Sequence, residues 1–155
     1  SSDLDDITTD ARVELIRIAI AENPYFELDT LEIDRGGVSY TVDTVDETAR
    51  RYDLSDKPYL ILGADLLPGL HTWHRVEELK KKVHFLVHDR GDYSGVAMAY
   101  RYQKEYPSLY FPKYMVNFEI SSSDIRWKVK MGMSIRYQVP DGVLQEIKEK
   151  GYFSD

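Results

Sequence analysis

The sequence predicts an α/β fold in which helices flank a parallel sheet. Strand-like and helix-like hydrophobic patterns alternate along the chain, which is the order that parallel βαβ units require. Residues 58–62 are almost continuously apolar and then reach a glycine, as expected of a strand buried on both faces of a parallel sheet. No repeat or linker interrupts the 155 residues. We therefore expect a single α/β domain over residues 1–155.

The amino-terminal half is predicted to hold two helices with a strand between them. Thr8 or Thr9 can cap a helix over residues 10–22, where apolar residues recur at helical spacing. Apolar residues across 26–33 suggest a strand, and residues 42–52 carry a second helical pattern. The predicted order is thus helix, strand, helix.

The remaining elements alternate more regularly. They are a strand over 58–62, a short helix over 76–82, a strand over 83–87, a helical segment over 96–106, a strand over 114–120, a helix over 124–131 and a last helix over 141–150. Tyrosines are frequent between 93 and 110. This segment is the candidate contact with another subunit, should the protein form a homo-oligomer.

Composition excludes several classes of function. The chain has no cysteine, so disulfides, thiolate metal sites and cysteine nucleophiles are ruled out. A net charge of -7 argues against non-specific binding of nucleic acid, which needs a basic surface. No apolar run approaches the length of a membrane span. We expect a soluble, cytoplasmic protein with no nucleic-acid or membrane partner.

A hydroxyl-rich turn joins the predicted strand 114–120 to the predicted helix 124–131. Ser121, Ser122 and Ser123 stand where the first N–H groups of the helix lack internal partners. Such a helix start can bind phosphate, although serines there also serve as ordinary caps. Arg126 falls in the first turn of this predicted helix, where a cation opposes the dipole unless an anion joins it. Both interpretations, a cap and a phosphate site, stay open.

A second polar group follows the strand 58–62. Gly63 permits close approach of the backbone, and Asp65 can accept hydrogen bonds from ribose hydroxyls, although an Asp after a strand can equally cap a helix. No G-x-G-x-x-G motif follows a strand, which argues against a nicotinamide-dinucleotide dehydrogenase. The four histidines do not form a metal-binding set, so no metal ligand is predicted.

Four short motifs occur in a familiar order. They are Ser39-Tyr40-Thr41-x-x-Thr44, Gly63-Ala64-Asp65, Thr72-Trp73-His74 and Ile120-Ser121-Ser122-Ser123-Asp124-Ile125-Arg126. Together they resemble bacterial nicotinate mononucleotide adenylyltransferase, a nucleotidyltransferase with a Rossmann-like sheet. Ser123 stands where Thr is usual in the family, a change that keeps the hydroxyl. The resemblance implies transfer of AMP from ATP to nicotinate mononucleotide, giving deamido-NAD and pyrophosphate in NAD biosynthesis.

The resemblance also implies roles for individual residues. Trp73 would stack on the nicotinate ring, and Thr41 and His74 would hold its carboxylate. The set implied to bind nicotinate mononucleotide is Tyr40, Thr41, Trp73, His74 and Arg90. The set implied to bind ATP is Gly63, Asp65, Ile120, Ser121, Ser122, Ser123 and Arg126, with backbone near 117–120 against the adenine. Arg126 and Ser122 would be catalytic, and Mg²⁺ would be held mainly by ATP phosphates and water.

One family feature is missing from the sequence. Members begin with a strand and a glycine-rich loop carrying H-x-G-H, and this chain contains no such motif. The resemblance therefore implies that the chain is the carboxyl-terminal portion of the domain, without its first strand–helix unit. We expect an exposed sheet edge in its place, and little catalysis by this polypeptide alone.

Three other functions remain open at this point. A sister adenylyltransferase acting on phosphopantetheine would share the serine-rich helix start without needing Trp73. A non-catalytic nucleotide-binding module would explain the missing H-x-G-H. A protein-binding scaffold with an acidic surface is the third, and no positive feature supports it.

Overall fold

A computed structural model describes residues 7–89, 94–112 and 119–154. The helices are α1 (Thr9–Ile20), α2 (Leu31–Arg35), α3 (Thr41–Arg51), α4 (Val76–Lys82), α5 (Ser94–Tyr102), α6 (Ser122–Lys130) and α7 (Asp141–Lys150), with a 3₁₀ helix over Ala64–Thr72. The strands are β1 (Tyr59–Gly63), β2 (His84–His88) and β3 (Leu109–Tyr110). The chain divides into two compact units, one formed by Thr30–Glu119 and the other by Ser1–Asp29 with Ile120–Asp155.

The Thr30–Glu119 unit is built on a parallel sheet with the order β1-β2-β3. Tyr59 pairs with His84 and Gly63 with His88, so β1 and β2 end at the same level. Parallel strands need crossover connections, and here α4 with the 3₁₀ helix joins β1 to β2. This arrangement confirms the predicted α/β fold with a parallel sheet flanked by helices.

The core of this unit lies on one face of the sheet. Its fully buried side chains come from both the sheet and the surrounding helices: Val42, Leu67, Leu70, Leu79, Val83, Phe85, Val87 and Tyr106. Burial raises the pKa of Tyr106 to about 12, because the phenolate would lose its hydration. The helices and the sheet therefore share one apolar interior.

The opposite face of the sheet is open at β1. Tyr59 and Ile61 are 60% and 70% exposed, whereas their neighbour Leu62 is 4% exposed. Successive side chains of a strand point to opposite faces, so only one set reaches the core. The prediction that this strand is buried on both faces is therefore wrong for this chain. Among the described strands β1 also forms one edge of the sheet, where we expected an open edge.

The other unit is helical in the part that the structure describes. Thr8 caps α1, because its hydroxyl accepts a hydrogen bond from the N–H of Ala11 at 3.1 Å. α1 packs against α7, around a core formed by Ile135, Val143, Leu144 and Ile147. The contact is close at Gly142, where a Cβ would meet Ile18 at 2.8 Å.

Two predicted elements need correction. The strand expected across 26–33 is absent, since α2 occupies Leu31–Arg35 and Phe26 is 62% exposed. Acidic residues in the first turn and an arginine in the last favour this short helix over a strand. The helix expected from residue 124 begins at Ser122, so Arg126 lies beyond its first turn. Most of the predicted strand 114–120 lies outside the described residues.

The remaining predicted helices and strands agree with the structure to within a few residues at their ends, apart from α5, which ends at Tyr102 whereas the prediction extended to 106. No helix among the described residues combines the length and apolarity needed to cross a membrane.

Candidate functional site

The start of α3 brings together the first and third sequence motifs. Tyr40 is the N-cap residue, and its ring stacks on His74 with centroids 4.1 Å apart and planes 29° apart. The hydroxyphenyl group offers no hydrogen bond to the helix, so α3 has no side-chain cap. Tyr40 and Thr41 thus begin α3, and the ring of His74 lies against that of Tyr40.

The N–H of Thr41 at this helix start is open to a ligand, because Thr41 is partly exposed whereas Val42 is fully buried. The carbonyl of Tyr40 accepts hydrogen bonds from the N–H groups of Asp43 and Thr44, both at 3.1 Å. Within the part of the chain that the structure describes, no hydrogen bond engages the N–H of Thr41 or Val42. Free N–H groups at a helix start attract anions, because the helix dipole adds partial positive charge there.

Trp73 immediately precedes His74 in the chain. Its side chain is half-buried and packs against the main core of the Thr30–Glu119 unit. Its backbone N–H donates to the carbonyl of Leu70 at 3.1 Å, and its backbone carbonyl accepts from the N–H of Val76 at 3.2 Å. The indole is therefore anchored on one side and reachable on the other, which suits stacking on a flat ring.

Thr44 of the first motif has a structural role that the sequence did not reveal. Its hydroxyl donates to Glu32 at 2.6 Å and accepts from Arg35 at 2.9 Å. Both partners belong to α2, so Thr44 fastens α2 to α3. This is a reason for a threonine at that position other than ligand binding.

Arg75 connects the Trp73–His74 turn to α3. It adopts the left-handed conformation, with φ of 51°, and its Nη1 lies 3.2 Å from Oδ1 of Asp43. Its guanidinium also holds Glu78 through both carboxylate oxygens. The hydrogen bond from Arg75 lowers the pKa of Glu78, and the same bond raises the pKa of Arg75. Sequence reasoning missed this residue, since Arg75 and Asp43 lie far apart along the chain.

Gly63 is the last residue of β1, and Asp65 follows this strand, as predicted. Asp65 is exposed in the first turn of the 3₁₀ helix, and Gly63 is the residue that precedes this helix. Asp65 is therefore not a helix cap. Its carboxylate folds back over Gly63, where a Cβ would collide with Oδ1. Glycine at this position thus lets the Asp65 carboxylate take its place.

The serine-rich turn caps its own helix in the other unit. Ser121 accepts a hydrogen bond from the N–H of Asp124 at 3.1 Å, which confirms the capping interpretation for this residue. Arg126 donates to the hydroxyl of Ser123 at 3.2 Å, and Ile120 is half-buried before the turn. Lys128 pairs with Asp124 at 2.7 Å and offsets its charge.

Ser122 and Arg126 line a cavity of about 260 Å³ within this unit. Its walls are mainly apolar side chains of α1, α6 and α7, and Arg12 of α1 also borders it. The guanidinium groups of Arg12 and Arg126 donate to hydroxyls of their own helices, Thr9 at 3.2 Å and Ser123 at 3.2 Å. A cavity of about 460 Å³ elsewhere in the unit contains none of the predicted site residues.

Some predicted residues cannot be placed. Arg90 and the backbone at 117–118 lie outside the described residues. Across the described part of the chain, no three His, Asp or Glu side chains gather in a way that would hold a metal ion. Of the histidines, His84 lies between the rings of Tyr59 and Tyr110, with centroids 4.9 and 5.5 Å away.

The sequence matches the cytidylyltransferase-like family over residues 5–128. A probable nicotinate-nucleotide adenylyltransferase from Lactiplantibacillus plantarum is 36% identical over 143 residues, which are 92% of this chain and 63% of that protein. The nicotinate-nucleotide adenylyltransferase of Bacillus subtilis is 34% identical over 143 residues, 92% of this chain and 70% of that protein. The chain therefore spans under two-thirds of the Lactiplantibacillus relative.

The fold is also that of a solved nicotinic acid mononucleotide adenylyltransferase from Plasmodium falciparum. The structure of its complex with APC superimposes with a TM-score of 0.69 at 20% identity, over 94% of this chain and 75% of that one. The complex with NaAD gives a TM-score of 0.70. From the sequence matches, the chain belongs to the cytidylyltransferase-like family, among relatives that carry the nicotinate-nucleotide adenylyltransferase name.

Proposed function

We propose that this protein acts in the transfer of AMP from ATP to nicotinate mononucleotide, which gives deamido-NAD and pyrophosphate. The observation that carries the proposal is the meeting of Tyr40, Thr41 and His74 at the uncapped start of α3, next to the half-buried indole of Trp73. An electron-poor ring with a carboxylate suits this arrangement, since the indole offers a flat face and the helix start offers N–H donors.

The ATP side of the proposal rests on two further groups. Asp65 is exposed and can accept hydrogen bonds from ribose hydroxyls, with Gly63 leaving room for its carboxylate. Ser122 and Arg126 border one cavity and can bind phosphate oxygens. Ser121 contributes through the helix start that it caps, and Ser123 through the hydrogen bond that orients Arg126.

The reaction needs no covalent intermediate with the protein. A phosphate oxygen of the mononucleotide forms a bond to the α-phosphorus of ATP, and the bond from that phosphorus to the bridging oxygen of pyrophosphate breaks. Protein groups position the two reactants and stabilise the negative charge that spreads over the phosphates. Mg²⁺, when bound to the ATP phosphates, supplies further neutralisation of charge, with oxygens of the substrate and water as its main ligands.

Binding measurements test this proposal directly. Replacing Trp127, which is 52% exposed on α6, by Phe leaves Trp73 as the only tryptophan. We expect nicotinate mononucleotide to quench the fluorescence of Trp73, and phosphopantetheine to leave it unchanged. Quenching by phosphopantetheine alone would favour the sister adenylyltransferase instead.

Catalysis is tested separately, by incubating the 155-residue chain with both substrates and Mg²⁺. We expect binding of ATP and mononucleotide with little release of pyrophosphate, because the chain lacks the H-x-G-H motif. Turnover typical of adenylyltransferases would refute this expectation.

A further inference from the structure

The turn that carries Trp73 and His74 contacts the start of α3 through two kinds of interaction. One is the stack of Tyr40 on His74, which any pair of flat rings can form with some freedom to slide. The other is the ion pair of Arg75 with Asp43, at 3.2 Å. One helical turn further along, Lys82 of α4 pairs with Asp46 of α3. The ion pairs fix the register between the two segments.

Arg75 is well placed to set the direction of this turn. It immediately follows His74 and precedes α4, and its left-handed backbone (φ 51°, ψ 42°) reverses the chain there. A non-glycine residue in that conformation is uncommon and costs free energy unless its surroundings hold it. Here Glu78 of α4 and Asp43 of α3 both hold the guanidinium, so the side chain compensates for the backbone.

Charge gives Arg75 a second role. Asp43 lies in the first turn of α3, near the N–H of Thr41, to which we assign the nicotinate carboxylate. An uncompensated carboxylate there would repel the ligand carboxylate. The guanidinium of Arg75 offsets this charge while leaving the N–H of Thr41 without a partner among the described residues.

We propose that Arg75 is a positioning residue for the pyridine-ring subsite: it fixes the turn bearing Trp73 and His74 against α3 and neutralises Asp43 beside the carboxylate position. This inference rests on the proposed function for its ligand, but the fixing of the turn stands on the contacts of Arg75 alone. Arg75 itself does not contact the reacting atoms.

The test uses the Trp127→Phe chain with three changes at Arg75. Arg75→Ala removes the guanidinium and keeps the strained backbone, whereas Arg75→Gly removes the guanidinium and relieves the strain. Arg75→Lys keeps the charge but loses the planar fork that engages both carboxylates. Arg17→Ala is the control, because Arg17 also lies near a glutamate three residues away in the chain, Glu14 of α1, at 3.8 Å.

Two readouts are made on each variant. Acrylamide quenching reports how far Trp73 is exposed, without any substrate. We expect Arg75→Ala and Arg75→Gly both to increase the acrylamide quenching of Trp73. Both should also weaken binding of nicotinate mononucleotide by about five- to tenfold, which is typical of the coupling energy between groups in contact. Arg75→Lys should give quenching and mononucleotide affinity between those of these two variants and those of the parent. The affinity for ATP should not change in any variant. Arg17→Ala should match the parent in both readouts.

The outcomes separate this inference from the proposed function. Unchanged acrylamide quenching in both the Ala and Gly variants overturns the positioning role, whatever the mononucleotide does. The positioning role is also overturned if Arg75→Gly shows the quenching and the mononucleotide affinity of the parent while Arg75→Ala does not. Backbone strain would then be the cause. A parent chain that binds no mononucleotide refutes the proposed function, while the acrylamide result still decides whether Arg75 fixes the turn.

A second substitution tests the charge. Adding Asp43→Asn to Arg75→Ala removes the carboxylate that has lost its partner, and we expect part of the mononucleotide affinity to return. If the double variant binds no better than Arg75→Ala, Asp43 does not repel the ligand and that half of the inference is wrong.

Discussion

The helices α3 and α6 differ in the residue that caps them. At α6 a serine caps the helix, and the arginine of the same motif donates to a neighbouring serine. At α3 the cap residue is a tyrosine whose ring stacks on His74, and the N–H groups of Thr41 and Val42 have no partner among the described residues. At α6 a serine hydroxyl therefore accepts from the N–H of the third helical residue, whereas at α3 the backbone carbonyl of Tyr40 accepts from the equivalent N–H.

The difference has an energetic consequence. A phosphate that binds at α6 has to take Arg126 from its hydrogen bond with Ser123, so part of the new interaction replaces an old one. A carboxylate that binds at α3 can accept from the N–H of Thr41 without displacing a side-chain hydrogen bond among the described residues. Substitutions at the two helix starts should reveal this contrast.

The largest effect is expected from Arg126→Ala. Loss of a charge-assisted hydrogen bond to phosphate should weaken ATP binding by about 1.5–3 kcal/mol, measured by calorimetry on the 155-residue chain. Binding of nicotinate mononucleotide should be unaffected. Arg136→Ala, an exposed arginine of the same unit, is the control. Equal losses in the two variants would mean that Arg126 acts only through general charge.

Trp73→Ala should act on the other substrate. Loss of aromatic stacking should weaken binding of nicotinate mononucleotide by roughly 1–3 kcal/mol, the range measured for bases on aromatic side chains. Calorimetry measures the affinity, and circular dichroism checks the fold, because Trp73 also packs on the core. Trp73→Phe should lose less. If the affinity for ATP falls instead, Trp73 belongs to the ATP subsite.

The caps themselves are compared by thermal unfolding. Ser121→Ala should lower the free energy of unfolding by about 1 kcal/mol, because the N–H of Asp124 loses its acceptor. Tyr40→Phe keeps the ring on His74 and removes no hydrogen bond to the helix, so its effect should stay within about 0.5 kcal/mol. Equal destabilisation would show that the two helix starts are capped alike.

Gly63→Ala should affect ATP binding with little loss of stability. The new methyl group would displace the carboxylate of Asp65, which is exposed and can move. We expect a several-fold weaker affinity for ATP and an almost unchanged melting temperature. An ATP affinity equal to that of the parent would mean that Asp65 does not bind the ribose.

The smallest expected effect is that of low pH on the ion pair between Arg75 and Glu78. Arg75 lowers the pKa of Glu78 below its ordinary value of 4.5. The stability from this pair is therefore present above about pH 4.5 and lost as the pH falls through the lowered pKa. Because both side chains are exposed, we expect only a slight difference between the parent and Glu78→Gln, seen in melting curves from pH 6 to pH 3. A larger difference in melting temperature between the two proteins at pH 3 than at pH 6 would contradict this expectation.

Sequence patterns predicted the elements with strong periodicity. α1, α3 and β2 carry regular apolar spacing, and the structure contains them close to the expected bounds. α2 was missed because a helix of five residues is too short for a helical period to be distinguished from alternation. The open face of β1 was missed because a continuous apolar run does not say which neighbours are present to cover it.

The site was predictable as motifs but not as contacts. The resemblance brought out Tyr40, Thr41, Trp73 and His74 as a set, and the structure brings Tyr40 and His74 into contact. The pairing of Arg75 with Asp43 joins residues 32 positions apart, and no local pattern marks either of them. Such pairs depend on how α3 and α4 pack, which only the fold determines.

The division of the chain into two units has a consequence for synthesis on the ribosome. The Thr30–Glu119 unit is one continuous stretch, so β1, β2 and β3 are made before α6 and α7 leave the exit tunnel. α1 is translated before the Thr30–Glu119 unit, yet its partner α7 is translated after it. The apolar side chains Leu15 and Ile18 must therefore stay uncovered by α7 while that unit is made, and we expect nascent chains stalled before residue 141 to bind holdase chaperones through α1.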